Sequence, residues 1–266
     1  MDLSFLDRSE ILEVIFPLVY APLYLPDYLR ISPSGLPTYS IEVEEGISIV
    51  CGFWVSSKDN PSILYFHGNG ETVGTHEWIA PLYNKRGMNL FVADYRGYGT
   101  SDGKPTISNM IGDAHIIFES FKGIIEREGY NGSTFVMGRS LGSVPAIELA
   151  HNYQDEIRGL IIESGAANNF RRLWSHPGST GNEAGLNEEN PFLNKVKVRQ
   201  VLKPTLIMHG EYDPIISVTE GEELYQNSGA RDKRILIIPG ASHNDIMVVN
   251  QSLYFDTIEE FVRAYQ

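Results

Sequence analysis

The sequence predicts an α/β domain on a mostly parallel central sheet of about eight strands, with helices on both faces. Three observations carry this. Short apolar runs alternate with longer amphipathic stretches along the chain, the strand–helix–strand rhythm of a parallel sheet. A length of 266 residues suits one large core, near the size at which single cores stop growing. A hydrophobic content of 42% with 11% aromatic residues is enough to fill it, which excludes wholesale disorder.

Residues 1–37 are read as an N-terminal apolar segment packed on the domain. Its most apolar stretch, Ile11 to Leu25, carries Glu13, Pro17 and Pro22 and is shorter than the ~20 residues that span a bilayer. A shallow lipid or acyl-chain contact is the sharper alternative for it. The main α/β domain is assigned to 38–266. Thr38–Glu44 and Ile47–Val55 flank Glu45-Gly46 and predict an antiparallel pair with a tight turn. Ile63–Phe66, Met88–Ala93, Thr134–Met137, Leu160–Ile162, Thr205–Met208 and Ile235–Ile238 follow as buried strands. Helices are expected near 75–86, 109–128, 141–153, 217–227 and 252–265. The polar excursion at about 165–200, rich in Asn, Gly and Glu, predicts a short flap or lid. Reactive groups belong at the carboxyl ends of such strands, where the loops converge.

Charge and cysteine usage narrow the function. The chain has 21 Lys plus Arg against 34 Asp plus Glu, a net charge of −13. No basic cluster tracks phosphates, Arg171-Arg172 being too short, so nucleic acid and anionic membrane surfaces are disfavoured partners. The single cysteine, Cys51, excludes an internal disulfide and a zinc site built on several cysteines. Together with a start that lacks a basic n-region, this points to a reducing, cytoplasmic setting.

The strongest chemical signal is Gly138-Arg139-Ser140-Leu141-Gly142. It follows a strand and precedes a helix-like run, the context that a G-x-S-x-G nucleophile elbow requires. The glycines let strand and helix approach, holding Ser140 exposed beside the positive end of the helix. A serine hydroxyl needs a base to take its proton. His243, in the loop after the last strand, fits; His67, His76, His115, His151, His176 and His209 sit less suitably. The base needs a carboxylate to fix its tautomer. Asp213, after Thr205–Met208, gives the chain order Ser, Asp, His. Two rivals remain: Glu163 at the end of the preceding strand, and Asp245 two residues from the base. Glu211 reads as a solvated loop charge.

The segments Phe66-His67-Gly68-Asn69-Gly70, Asp94-Tyr95-Arg96-Gly97-Tyr98-Gly99-Thr100-Ser101-Asp102-Gly103-Lys104-Pro105, Gly138-Arg139-Ser140-Leu141-Gly142 and the surroundings of Asp213 and His243 resemble the α/β-hydrolase superfamily. The nearest likeness is to the Bem46-like and ABHD13/ABHD17-like branch of serine hydrolases, over about residues 38–266. The resemblance implies the α/β-hydrolase fold and an oxyanion hole formed by the backbone amides of Asn69 and Leu141. It also implies that Asp94 and Arg96 brace loops. The chain departs from its relatives in its first 37 residues, which resemble no membrane anchor or palmitoylated cysteine-rich start. It departs also at Gly70-Glu71, which alters the pocket rim, and in its short polar flap.

The expected chemistry is hydrolysis of a carboxylic ester or thioester through Ser140, His243 and Asp213 and an acyl-enzyme. The substrate is a small-molecule or acyl ester, and neither cofactor nor metal is needed. The same triad suits a peptidase or amidase, and a non-catalytic binding protein on this fold is the third reading. Candidate pocket residues are Tyr95, Phe170 and Trp174, the last two at helical spacing in the flap.

Overall fold

The computed structural model describes residues 6–20, 38–169 and 189–266. Eight strands form one sheet: β1 (Thr38–Glu44), β2 (Ile47–Trp54), β3 (Ser62–Phe66), β4 (Asn89–Ala93), β5 (Thr134–Arg139), β6 (Gly159–Glu163), β7 (Thr205–Gly210) and β8 (Lys233–Ile238). Their spatial order is β1-β2-β4-β3-β5-β6-β7-β8. Only the β1–β2 and β2–β4 pairs are antiparallel; β4, β3 and β5 to β8 run parallel. The β1–β2 hairpin turns through Glu45-Gly46, with Gly46 at φ 73°, a left-handed conformation that glycine adopts without steric cost.

Period-two alternation divides the central strands between two cores. Leu64, Phe66, Phe91, Ala93, Val136, Leu160, Ile162 and Ile207 face one layer. Ile63, Tyr65, Leu90, Val92, Phe135, Met137, Ile161, Leu206 and Met208 face the other. A strand buried on both faces has no polar side to show, so these segments read as continuous apolar runs. Each fully buried large side chain contributes about 1.5–3 kcal/mol relative to exposure, so the sheet is the rigid platform from which the loops project.

The first layer is covered by helices α1 (Ser9–Ile15) and α2 (Pro17–Tyr20), and by the longer α4 (Ile107–Glu128) and α5 (Ser143–Asn152). Leu6, Ile11, Leu12, Ile15 and Phe16 are buried there, so the apolar side of this stretch is spent on the protein core. Helix α4 begins two residues earlier than the periodicity predicts. Thr106 and Asn109 form a reciprocal capping box, and Asp7 Oδ1 accepts the amides of Ile107 (2.8 Å) and Ser108 (3.2 Å). The first-turn donors are thus satisfied from 100 residues away, which local sequence does not announce.

On the second layer the single helix expected at 75–86 is two pieces, a 3₁₀ turn at Val73–His76 and α3 (Ala80–Asn84). Pro81 lies in the first turn of α3, where its missing N–H costs nothing. Short helices α6 (Asn194–Val198) and α8 (Ile246–Val249) were not expected; α7 (Val218–Asn227) and α9 (Gln251–Tyr265) lie where predicted to within a residue. The two ends of the polar excursion are pinned down. Asn169 Nδ2 donates to the Phe192 carbonyl (2.9 Å), and Asn194 donates through its backbone to Asn169 Oδ1 (3.0 Å) and through Nδ2 to the Ala166 carbonyl (2.8 Å). Asn169 and Asn194 are therefore buried structural ties at its base; residues 170–188 lie outside those described. Among the described residues no helix is long and apolar enough to cross a membrane.

Candidate active site

Strand β5 runs directly into a 3₁₀ turn, Ser140–Gly142, and then into α5. Ser140 sits at φ 52°, a left-handed conformation that costs a side-chain-bearing residue about 1–2 kcal/mol. Packing enforces it. A Cβ on Gly138 would lie 2.1 Å from the Gly142 carbonyl oxygen, and one on Gly142 would lie 2.0 Å from the Phe66 carbonyl oxygen. Only glycine permits this contact between the elbow and the end of β3. Ser143 Oγ donates to the Ser140 carbonyl (2.6 Å) and ties the turn to the first turn of the helix.

His243 lies in the loop after β8. Its Nε2 is 2.9 Å from Ser140 Oγ and its Nδ1 is 2.6 Å from Asp213 Oδ2. A carboxylate can only accept, so Nδ1 carries the proton and Nε2 is left to accept from the serine hydroxyl. Asp213, in the loop after β7, is held on both oxygens. Oδ1 accepts the amides of Ile215 and Ile216, each at 2.8 Å. Near Oδ2, at 3.4 Å, lies Nε2 of His209, which also donates to the Ile216 carbonyl (2.8 Å). Burial raises the Asp213 pKa, but hydrogen bonds from His209, His243 and the Ile216 amide outweigh it and hold the carboxyl well below the usual carboxylate range.

The turn after β3 lies against the elbow: a Cβ built on Gly68 would be 3.4 Å from Ser140 Cβ. The Asn69 side chain is committed, with Nδ2 donating to the Ile15 carbonyl (2.7 Å) and Oδ1 accepting from Tyr98 Oη (2.6 Å). Tyr95 Oη donates to the His67 carbonyl (2.7 Å), and His67 Nε2 meets Asp94 Oδ1 at 3.1 Å. These bonds stiffen the turn from behind.

Comparison with known proteins bears on this arrangement. Residues 57–177 match the family described as serine aminopeptidase, S33. Human alpha/beta hydrolase domain-containing protein 17B is 28% identical over 231 residues, covering 86% of this chain and 75% of that protein. The chain has the α/β-hydrolase fold. Within the superfamily it resembles the ABHD17-like branch. Solved structures show the same fold. An esterase of Pyrococcus furiosus, Pf2001, superposes with a TM-score of 0.69 at 18% identity, covering 91% of this chain and 96% of that one. Est1E from Butyrivibrio proteoclasticus, in a structure with ferulic acid bound, gives 0.68 at 18% identity, covering 85% and 98%.

The rival carboxylates, Glu163 and Asp245, are occupied elsewhere. Glu163 pairs with Arg139 Nε (3.1 Å) and accepts from Tyr254 Oη (2.6 Å). Asp245 Oδ1 accepts the Ser242 amide (2.6 Å), holding the His243 loop. Glu211 is more than a solvated charge, because its Oε2 accepts the Gly240 amide (2.9 Å) and joins the Asp213 loop to the His243 loop. Glu71 turns inward instead of forming the rim: its Oε2 accepts the Gly68 amide (2.8 Å) and its Oε1 pairs with Arg139 Nη1 (2.5 Å). Arg96 braces as expected, forked onto Asp113 at 2.8 Å through both nitrogens. Tyr95 is buried, with its hydroxyl spent on His67. Phe170 and Trp174 lie outside the described residues. No group of His, Cys, Asp and Glu among the described residues could hold a metal ion.

Sequence reasoning gave no role to the side chains of Arg139 and Asn69. A signal existed for the first: Arg139 and Glu163 both close otherwise apolar strands, and a lone buried charge requires a partner.

Proposed function

We propose that this α/β-hydrolase cleaves carboxylic ester or thioester bonds, with Ser140 as nucleophile, His243 as general base and acid, and Asp213 as the orienting carboxylate. The observation that carries the reading is the continuous pair of hydrogen bonds from Ser140 Oγ through the His243 ring to Asp213 Oδ2, at 2.9 and 2.6 Å. Ser140 Oγ attacks the carbonyl carbon while its proton passes to His243 Nε2. The tetrahedral oxyanion is held by the amides of Asn69 and Leu141, each worth about 3–4 kcal/mol at the transition state. As the carbon–oxygen or carbon–sulfur bond breaks, His243 returns the proton to the leaving alcohol or thiol. Water, deprotonated by the same nitrogen, then attacks the acyl-enzyme and releases the acid and the free serine. The residues supply the whole proton inventory, so the scheme needs no metal and no organic cofactor.

The match to the serine aminopeptidase family favours amide cleavage as a second reading, since the same triad serves both. Cys51, the single cysteine, is buried, which suits a reducing cytoplasmic setting with a small-molecule or acyl ester as partner. Purified protein assayed on aryl esters graded by acyl length, with Ser140→Ala as the blank, tests the reading. Turnover that vanishes in the variant supports it, and turnover that persists there removes Ser140 from the chemistry.

A further inference from the structure

Arg139 occupies the variable position before the nucleophile, yet its side chain does not point to solvent. It is 8% exposed, and its guanidinium is shared among three loops. Nη2 donates to the carbonyl of His243 (2.7 Å) and to Asn244 Oδ1 (3.1 Å). Nη1 pairs with Glu71 Oε1 (2.5 Å), and the other oxygen of Glu71 accepts the Gly68 amide in the turn before Asn69 (2.8 Å). Nε pairs with Glu163 Oε1 (3.1 Å) at the end of β6, where Tyr254 holds the second oxygen (2.6 Å). One planar cation thus ties the base loop, the oxyanion turn and the neighbouring strand to the residue adjacent to the nucleophile.

We infer that Arg139 is a positioning residue that sets the distance between the His243 ring and the oxyanion turn. The inference rests on the ester-hydrolase reading for its rate consequences and on geometry alone for its structural ones. A guanidinium presents donors in a fixed fork, and these acceptors lie along separate N–H directions; an ammonium is a single point and cannot serve all of them. Gly68 gives a second, independent sign. Its backbone is not left-handed, but a Cβ there would lie 2.6 Å from Arg139 Nη1. The far end of a free arginine would swing away. This one is tethered on every nitrogen, so the turn carries glycine because Arg139 fills the space.

The test compares Arg139→Lys and Gly68→Ala with the parent protein. Lysine keeps the positive charge that faces Glu71 and Glu163, so the variant is the one suited to folding. With p-nitrophenyl butyrate, kcat falls about 100-fold in Arg139→Lys, as misplacement of a base by about an ångström requires, while KM changes by less than about twofold. Gly68→Ala, whose Cβ would meet Arg139 Nη1 at 2.6 Å and Ser140 Cβ at 3.4 Å, produces the same split, and Arg139→Lys alone decides the assignment. The second readout is the downfield NMR resonance of the His243 Nδ1 proton, which shifts or broadens in both variants even where turnover is not measured. If kcat and the resonance stay at parental values in Arg139→Lys, the inference is overturned. A rise in KM alone overturns it too, because Arg139 would then be binding substrate. A parent protein without Ser140-dependent turnover contradicts the ester-hydrolase reading instead, and the proton resonance still decides the role of Arg139.

Discussion

Asn69 Nδ2 donates a 2.7 Å hydrogen bond to the carbonyl oxygen of Ile15, 54 residues upstream. A helix of the N-terminal segment thereby ends against the turn proposed to bind the oxyanion. Tyr98 completes the clamp from the other side, donating to Asn69 Oδ1 at 2.6 Å while its ring meets Phe16 edge-on at 6.5 Å. With its side chain fixed twice, Asn69 has little freedom to redirect its own amide.

Tyr98→Phe keeps the ring packing and removes only the donated hydrogen bond. We predict a stability loss of about 1 kcal/mol and a fall in kcat with little change in KM. Urea melts and steady-state kinetics on one ester check both. Phe16→Ala, at a fully buried ring, costs about 3–5 kcal/mol and lowers the urea midpoint far more.

Asp213→Asn preserves the volume of the acid and both loop amides can still find its oxygen. The amide presents a donor toward His243 and favours the wrong tautomer, so kcat falls by about 10⁴-fold with the fold retained. Thermal unfolding alongside single-turnover rates separates the two effects.

Position 142 is set by backbone contact. An alanine Cβ there meets the Phe66 carbonyl oxygen at 2.0 Å, and no side chain can move aside to relieve it. Gly142→Ala is predicted to destabilise the protein by more than about 4 kcal/mol. A melting temperature near the parent value would show that the elbow and β3 do not touch as described.

Acid stability follows from two carboxyls. Asp213 is held below the usual range by its histidine and backbone partners in spite of burial. At Glu148 burial pushes up, but His115 and Lys197 prevail and bring it down to about 2. A folded pKa below the unfolded one adds stability that is fully present above the unfolded value and lost as pH falls through the folded value. Glu163 acts in the opposite sense, because burial raises it and protonation relieves a cost. The urea midpoint is therefore expected to fall from about pH 4.5 towards pH 2, and Glu148→Gln to flatten that limb. An unchanged limb in the variant would remove Glu148 from the account.

Strand positions were legible because β3 to β7 are buried on both faces and carry little but apolar residues. The elbow was legible because glycine spacing, strand and helix are contiguous in sequence. Loops and caps were less so. The start of α4 depends on Asp7, a contact no window of sequence contains. Choosing Asp213 over Glu163 depends on where Arg139 and Tyr254 lie, and the role of Glu71 depends on the direction of its carboxylate. Each is a long-range pairing of polar groups, which periodicity does not encode. The polar character of the 165–200 excursion misled in part, since its end asparagines are polar in order to bind buried backbone.

The central claim is that Ser140 forms the acyl intermediate. Its most direct measurement is the intact mass of the protein quenched during turnover of a p-nitrophenyl ester, with Ser140→Ala beside it and peptide mapping of any adduct. The account predicts a gain of one acyl group on Ser140 in the parent protein and none in the variant. An adduct on another residue, or ester turnover that survives in Ser140→Ala, would contradict it.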